Sequence, residues 1–198
     1  MLVVLGIINI NGVTRKGVKM KTDLPDAIES VEDTKKRLEA LIECNAQYIT
    51  TPKFPCDKVS ILKTIAVCES SFGVMNHSRF EPAYFTGGFY YEKSEVVRDL
   101  VEKFGKSAAC SYSSFQILFV TACELGFHGT PEELGNDDIA IFWVMKFINK
   151  RIIHKNPEKI EDIFDAYNSG SFRDKNVPLG YVSKAMYFYS LYCSNGKI

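Results

Sequence analysis

From Asp57 the chain reads D-K-V-S-I-L-K-T-I-A-V-C-E, an apolar helix pattern that runs straight into a carboxylate. Leu62, Ile65 and Ala66 lie seven, four and three residues before Glu69, so all four share one helical stripe. Any fold that buries this stripe carries Glu69 toward the core with it. An acidic group facing a core costs several kcal/mol unless it is paired or protonated, so its pKa should rise. The helix ends just after Glu69, and the negative end of the helix dipole pushes in the same direction. A carboxyl group kept protonated near neutral pH is what a general acid requires. A Glu in this setting can equally serve only as a cap or a salt-bridge partner.

The rest of the chain adds helices around this one. Val31 to Ile49 places Leu38, Leu41 and Ile42 at helical spacing, and Thr50-Thr51-Pro52-Lys53-Phe54-Pro55 breaks it. Gln116 to Leu125 is apolar nearly all round and predicts a helix in the middle of a domain. Thr130-Pro131-Glu132-Glu133 has the form of a capping box with Pro at the first helical position. Asn136 or Asp137 opens a long apolar helix to about Ile153. A helix after Asn156-Pro157 has Ile160, Ile163, Phe164 and Tyr167 as its inner stripe and ends at Gly170. A last helix runs from about Pro178 to Cys193. Between Gly73 and Ser94 lies a stretch rich in glycine, proline and aromatic rings, which suits either sugar stacking over a cleft or packing back on the core. The expected fold is mainly α, one domain of 198 residues, with residues 1–50 as an extension packing on a core formed by 51–198.

Lys+Arg and Asp+Glu are equal at 24 each, which gives no basic excess of the kind nucleic-acid binding usually shows. No nucleic-acid partner is expected. The six cysteines include no C-x-x-C, and Cys68 and Cys123 fall inside apolar helix patterns, so free buried thiols and folding in a reducing compartment are expected. With His77, His128 and His154 they form no zinc spacing, and no metal or other cofactor is expected. The apolar N-terminus, Met1 to Ile10, is too short to span a bilayer and has no basic residues ahead of it. It is expected to form a short strand or arm, with no integral membrane segment and no clear export signal.

Three segments then stand out: Glu69-Ser70-Ser71-Phe72 at a helix end, Ser113-Ser114-Phe115-Gln116-Ile117 ahead of an apolar run, and Ala166-Tyr167-Asn168-Ser169-Gly170 at the end of an inner stripe. In order and spacing they resemble the lysozyme-like lytic transglycosylases, whose motifs read E-S, then G-L-M-Q-I, then A-Y-N-A-G. Tyr181-Val182 fits the tyrosine-valine pair that often follows, and the resemblance covers roughly Asp57 to Tyr192. It implies a lysozyme-like fold, shared by lytic transglycosylases and goose-type lysozymes, and action as a monomer on peptidoglycan glycan strands. Glu69 would be the catalytic acid and then base. Gln116 and Asn168 would hydrogen-bond sugar groups, Tyr167 would sit beside the Glu69 carboxylate, and Ser70 would contact substrate or hold Glu69 in place. Ser107, nine residues before Gln116, matches a serine that in some members polarises the attacking hydroxyl.

The departures bear on the reaction. Ser113-Ser114-Phe115 stands where the family has Gly-Leu-Met, and loss of glycine limits the approach of a sugar to the backbone. Arg79-Phe80-Glu81-Pro82-Ala83-Tyr84-Phe85 looks like the F-E-P/R-H segment of phage and bacterial N-acetylmuramidases, and Ala109 to Leu118 resembles their S-W-G-x-F-Q-I-M segment. A hydrolytic outcome with Glu81 or Glu92 as a second acid is therefore the alternative to transglycosylation, and a non-catalytic wall-binding module is a third. The resemblance and the thiols together suggest a phage lysin or virion-associated enzyme, made in a cytoplasm and acting on the wall.

Overall fold

A computed structural model describes residues 29–171 and 179–195. The strand or arm expected at the N-terminus lies outside the described residues. Ser30 starts α1 (Val31–Asn45) by accepting the Asp33 N–H at 3.1 Å, and the helix sends Leu38 and Ile42 into the core. Asp57 does the same for α2 (Lys58–Ser70), accepting the Val59 N–H at 3.1 Å and the Ser60 hydroxyl at 2.6 Å. Seven residues of α2 are buried, from Ser60 to Ser70, so it runs through the molecule rather than over it.

α3 (Phe89–Lys93) and α4 (Glu95–Phe104) follow the aromatic stretch, and α4 stops at Gly105, whose φ of 60° is open to glycine without strain. α5 (Phe119–Glu124), α6 (Pro131–Leu134) and α7 (Asp137–Phe147) come next, with the Thr130–Glu133 capping box formed in full at α6. α7 continues as a π-helical turn over Ile148–Ile152. α8 (Ile160–Ser169) begins where the Asp162 carboxylate accepts the Glu158 and Lys159 N–H groups, and it stops at Gly170 with φ 80°. α9 (Leu179–Asn195) packs along α2 and on α8. Tyr189 Oη accepts the Asp57 N–H at 2.9 Å and Lys184 donates to the Cys68 carbonyl at 3.2 Å, which clamps α9 to both ends of α2.

Two expectations are corrected. The run from Gln116 is not one helix. Gln116 has φ 50°, which no right-handed helix accommodates, so Ile117–Leu118 forms a strand and α5 starts only at Phe119. A three-stranded antiparallel sheet results, β1 (Arg79–Phe80), β2 (Cys110–Tyr112) and β3 (Ile117–Leu118), with Arg79 opposite Ser111 and Ser111 opposite Leu118. The cysteines also sit less deeply than expected. All six are free, but Cys44 is exposed and only Cys110 is fully buried.

One apolar core joins α1, α2 and α4 to α9 through Leu38, Ile61, Leu62, Phe115, Phe119, Ile148 and Phe164. The described residues are mainly helical, and no helix among them is long and apolar enough to cross a membrane.

Candidate active site

Glu69 is the penultimate residue of α2, and its side chain is 7% exposed. The chain leaves the helix through left-handed backbone at Ser71 (φ 53°) and Phe72 (φ 60°), held by bonds from Ser71 N–H to Val67 O and Phe72 N–H to Ala66 O. Tyr181, near the start of α9, donates its hydroxyl to Glu69 Oε1 at 2.6 Å. Arg79 Nη1 stands 3.5 Å from Oε2. Burial pushes the Glu69 carboxyl above its ordinary pKa. The Tyr181 hydrogen bond, the Arg79 charge and the Lys184 charge pull the other way without cancelling it. Burial and the neighbouring Glu69 charge in turn hold the Tyr181 phenol far above its usual range, so it stays a donor.

A cleft of about 270 Å³ opens beside this pair. Its walls are Arg79 and Glu81 of the β1 segment, Tyr84 and Tyr90, Ser111 of β2, Gln116, and the end of α8 from Tyr167 to Gly170. Tyr84 and Tyr90 stack on each other at 4.5 Å with an 18° tilt, and Tyr90 is 45% exposed, so part of the aromatic stretch forms a wall of the cleft. Arg79 and Glu81 line the cleft, and Arg79 Nε also donates to Glu81 Oε1 at 2.8 Å. Glu69 is reached from the cleft by way of Arg79.

The residues singled out from the sequence fall into three groups. Gln116, Tyr167 and Asn168 line the cleft, and Glu69 joins it through Arg79, which lines the cleft and stands 3.5 Å from Oε2. Tyr167 is half-buried and close enough for the Glu69 charge to be felt, but its hydroxyl goes to the Phe115 carbonyl at 2.7 Å; the tyrosine bonded to Glu69 is Tyr181. Gln116 lines the cleft with a largely committed amide. Its Nε2 donates to the His77 and Ser113 carbonyls, each at 3.0 Å, and its Oε1 accepts the Ser111 hydroxyl at 3.0 Å. A sugar can reach only the remaining lone pair of Oε1 and the neighbouring Ser111.

Neither Ser70 nor Ser107 is among the residues that line the cleft, and neither is Glu69 itself. Ser70 is 1% exposed, and its hydroxyl is shared among the Ala66 carbonyl, the Ser114 carbonyl at 2.8 Å and the Gly73 N–H at 2.8 Å. It ties the exit of α2 to the loop that carries Gln116. Ser107 lies in a 3₁₀ turn, where its carbonyl accepts the Tyr112 hydroxyl at 2.8 Å. Ser111, five residues before Gln116, occupies the cleft wall instead.

A second buried carboxylate shapes the same loop. Asp137, 3% exposed, accepts the Ser114 N–H at 2.7 Å, the Ser114 hydroxyl at 2.8 Å and Arg37 Nη2 at 3.1 Å. These bonds fix Ser114 in the loop whose Ser113 has φ 68° and whose Gln116 has φ 50°. The left-handed φ at Ser113 falls where the family motif has glycine. Arg79, Ser111, Tyr84, Tyr90 and Tyr181 were given no individual role from sequence, although Arg79-Phe80-Glu81-Pro82 and Tyr181-Val182 were both visible as motif fragments; Glu81, offered there with Glu92 as a second acid, lines the cleft. Among the described residues no three His, Cys, Asp or Glu side chains gather into a metal-binding group.

No known family model, curated protein or solved structure matches the chain.

Proposed function

We propose that the chain is a lysozyme-like enzyme that cuts the β-1,4 bond between N-acetylmuramic acid and N-acetylglucosamine in peptidoglycan by lytic transglycosylation. The observation that carries this reading is Glu69: a buried carboxyl, its proton affinity raised by burial, clasped by Tyr181 and adjoining a cleft walled by Gln116, Tyr167 and Asn168.

The chemistry needs one acid. Protonated Glu69 gives its proton to the glycosidic oxygen as the bond to C1 of the muramic sugar breaks. The acetamido oxygen of that sugar supports the electron-deficient C1. The ionised Glu69 then takes the proton from the sugar's own C6 hydroxyl, whose oxygen closes on C1. Glu69 ends protonated, as it began, and the product is a 1,6-anhydro ring. Tyr181 favours the ionised form needed for the second step, while burial favours the protonated form needed for the first. The stacked Tyr84–Tyr90 pair offers a flat face to a sugar ring, and six free thiols suit a protein made in a cytoplasm and then delivered to the wall, as a phage lysin or virion component is.

One observation favours a second reading, hydrolysis. Arg79 touches both Glu69 and Glu81. The width of one guanidinium fork keeps the two nearest carboxylate oxygens within about 9 Å, an upper bound that admits the paired-carboxylate spacing of glycosidases. Glu81 would then activate a water.

Mass spectrometry of the fragments released from purified walls separates the readings. Transglycosylation leaves muropeptides one water lighter, with anhydromuramic ends. Reducing muramic ends select the hydrolase. Wall binding with no fragment released overturns both and leaves a non-catalytic module.

A further inference from the structure

Arg79 is placed oddly for a site built around a proton donor. A cation beside the acid favours loss of the proton it must deliver. The geometry resolves this. The guanidinium contacts Glu81 at 2.8 Å through Nε but reaches Glu69 only at 3.5 Å through Nη1. The first distance is a normal charge-assisted hydrogen bond and the second is a looser ion pair. Arg79 and Glu81 are two residues apart on one extended segment, so their side chains share a face and their pairing is local. Arg79 is 58% exposed and can swing about its long stem, whereas Glu69 is 7% exposed and fixed by Tyr181. The contact with Glu69 is the one that yields when the side chain moves.

We propose that Arg79 is a positioning residue for Glu69 and that Glu81 competes with Glu69 for it, the two carboxylates dividing one guanidinium. The proposal rests on the reading of Glu69 as the acid. A sugar entering the cleft meets Arg79 before it meets Glu69, and shifting the guanidinium fully onto Glu81 clears the way. Glu69 is then left with its desolvated surroundings and the Tyr181 hydroxyl, and its affinity for a proton goes up at the moment the leaving oxygen arrives. The other groups facing Glu69 do not move in this exchange: Tyr181 and Lys184 come from α9, Tyr167 from α8, and Cys68 from α2 itself.

The test follows the ¹³C resonance of the Glu69 carboxyl through a pH titration of the full chain, the signal being identified by its loss in Glu69→Gln. Arg79→Gln moves the midpoint up, by on the order of one pH unit. Arg79→Lys keeps the charge without the fork and falls between it and the parent. Glu81→Gln leaves the guanidinium undivided and moves the midpoint down. In the Arg79→Gln background, Glu81→Gln adds little, because its effect needs the guanidinium. An unmoved midpoint in Arg79→Gln overturns the proposal. So does a Glu81→Gln shift of undiminished size in that background, since Glu81 would then act on Glu69 directly. The readout needs no turnover. If the carboxyl titrates as described while the pH-rate profile of wall clearing ignores Arg79→Gln, the division of Arg79 stands and the reading of Glu69 as the acid falls.

Discussion

Tyr181→Phe removes a single hydroxyl from the centre of the site and isolates what holds Glu69. The hydroxyl donates to Glu69 Oε1 at 2.6 Å, within the short range of charge-assisted O–H···O⁻ bonds. Glu69 is 7% exposed, so water replaces the lost donor poorly. Hydrogen bonds to charged groups contribute about 1.5–3 kcal/mol, so the variant should lose about 2 kcal/mol at pH values where Glu69 is ionised. Once Glu69 is protonated the bond is an ordinary neutral one and the loss falls to about 1 kcal/mol. The sign follows from linkage. Burial raises the folded-state pKa of Glu69, so the stability attached to that group is fully present below its unfolded pKa and is lost as pH rises through the folded one. Removing a donor that favours the charged form raises the folded pKa further, which deepens that loss at high pH. Urea denaturation at a series of pH values measures it, with the slope against urea unchanged because the ring remains. In a chain of this size the deficit with Glu69 ionised corresponds to a melting point lower by roughly 4–8 °C. Wall-clearing activity should drop, and its alkaline limb should move up with the pKa of the acid. A deficit that is the same at pH 4 and pH 8, or an alkaline limb that moves down, would refute the reasoning.

Glu69→Gln should abolish release of muropeptides while raising the melting point by a few degrees at pH values above the Glu69 titration, because there it removes a desolvated charge and keeps an acceptor for Tyr181; the gain should fade as pH is lowered through that titration. Asp137→Asn should cost about 3–5 kcal/mol in chemical denaturation, since it turns a donor toward Arg37 and leaves the buried Ser114 bonds weakened. Gly88→Ala should raise the KM for soluble glycan fragments more than it lowers kcat, because a Cβ there would lie 2.3 Å from the Pro82 carbonyl oxygen and 2.7 Å from Ala83, displacing the turn that carries Tyr84 against Tyr90.

What could be read from the sequence was what is local. The stripe Leu62, Ile65, Ala66 is buried as its spacing requires, and Glu69 follows it inward. The Thr130–Glu133 box and the stop at Gly170 lie where their residue chemistry puts them. What escaped depended on partners distant in the chain. Tyr181 meets Glu69 across 112 positions, and nothing in the periodicity of either helix says so. Ser70 follows Glu69 in the E-S motif, but neighbours on a helix point about 100° apart, and Ser70 turns to the Ser114 carbonyl, where it ties down the end of α2 that carries Glu69. The strand at Ile117–Leu118 was hidden because an apolar run has no period to show, and the deciding fact, the positive φ of Gln116, is imposed from outside by Ser113, Ser111 and His77.

That positive φ belongs to a pattern. Among the described residues five that are not glycine have φ above zero, and four of them, Ser71, Phe72, Ser113 and Gln116, flank Glu69 and the cleft; the fifth, Asn156, ends a helical turn elsewhere. Each costs roughly 1–2 kcal/mol against glycine in the same place. Two of the four side chains show why glycine would not serve. Ser113 uses its hydroxyl to accept the Phe115 N–H at 3.2 Å, and Gln116 closes three bonds at the cleft wall. The buried bonds of Ser70 to the Ser114 carbonyl and of Asp137 to the Ser114 N–H and hydroxyl offset the strain by locking the exit of α2 to the loop before β3. Strain gathered on the two segments that present Glu69 and Gln116, and held there by buried polar contacts, is better explained by a fixed reacting geometry than by stability alone.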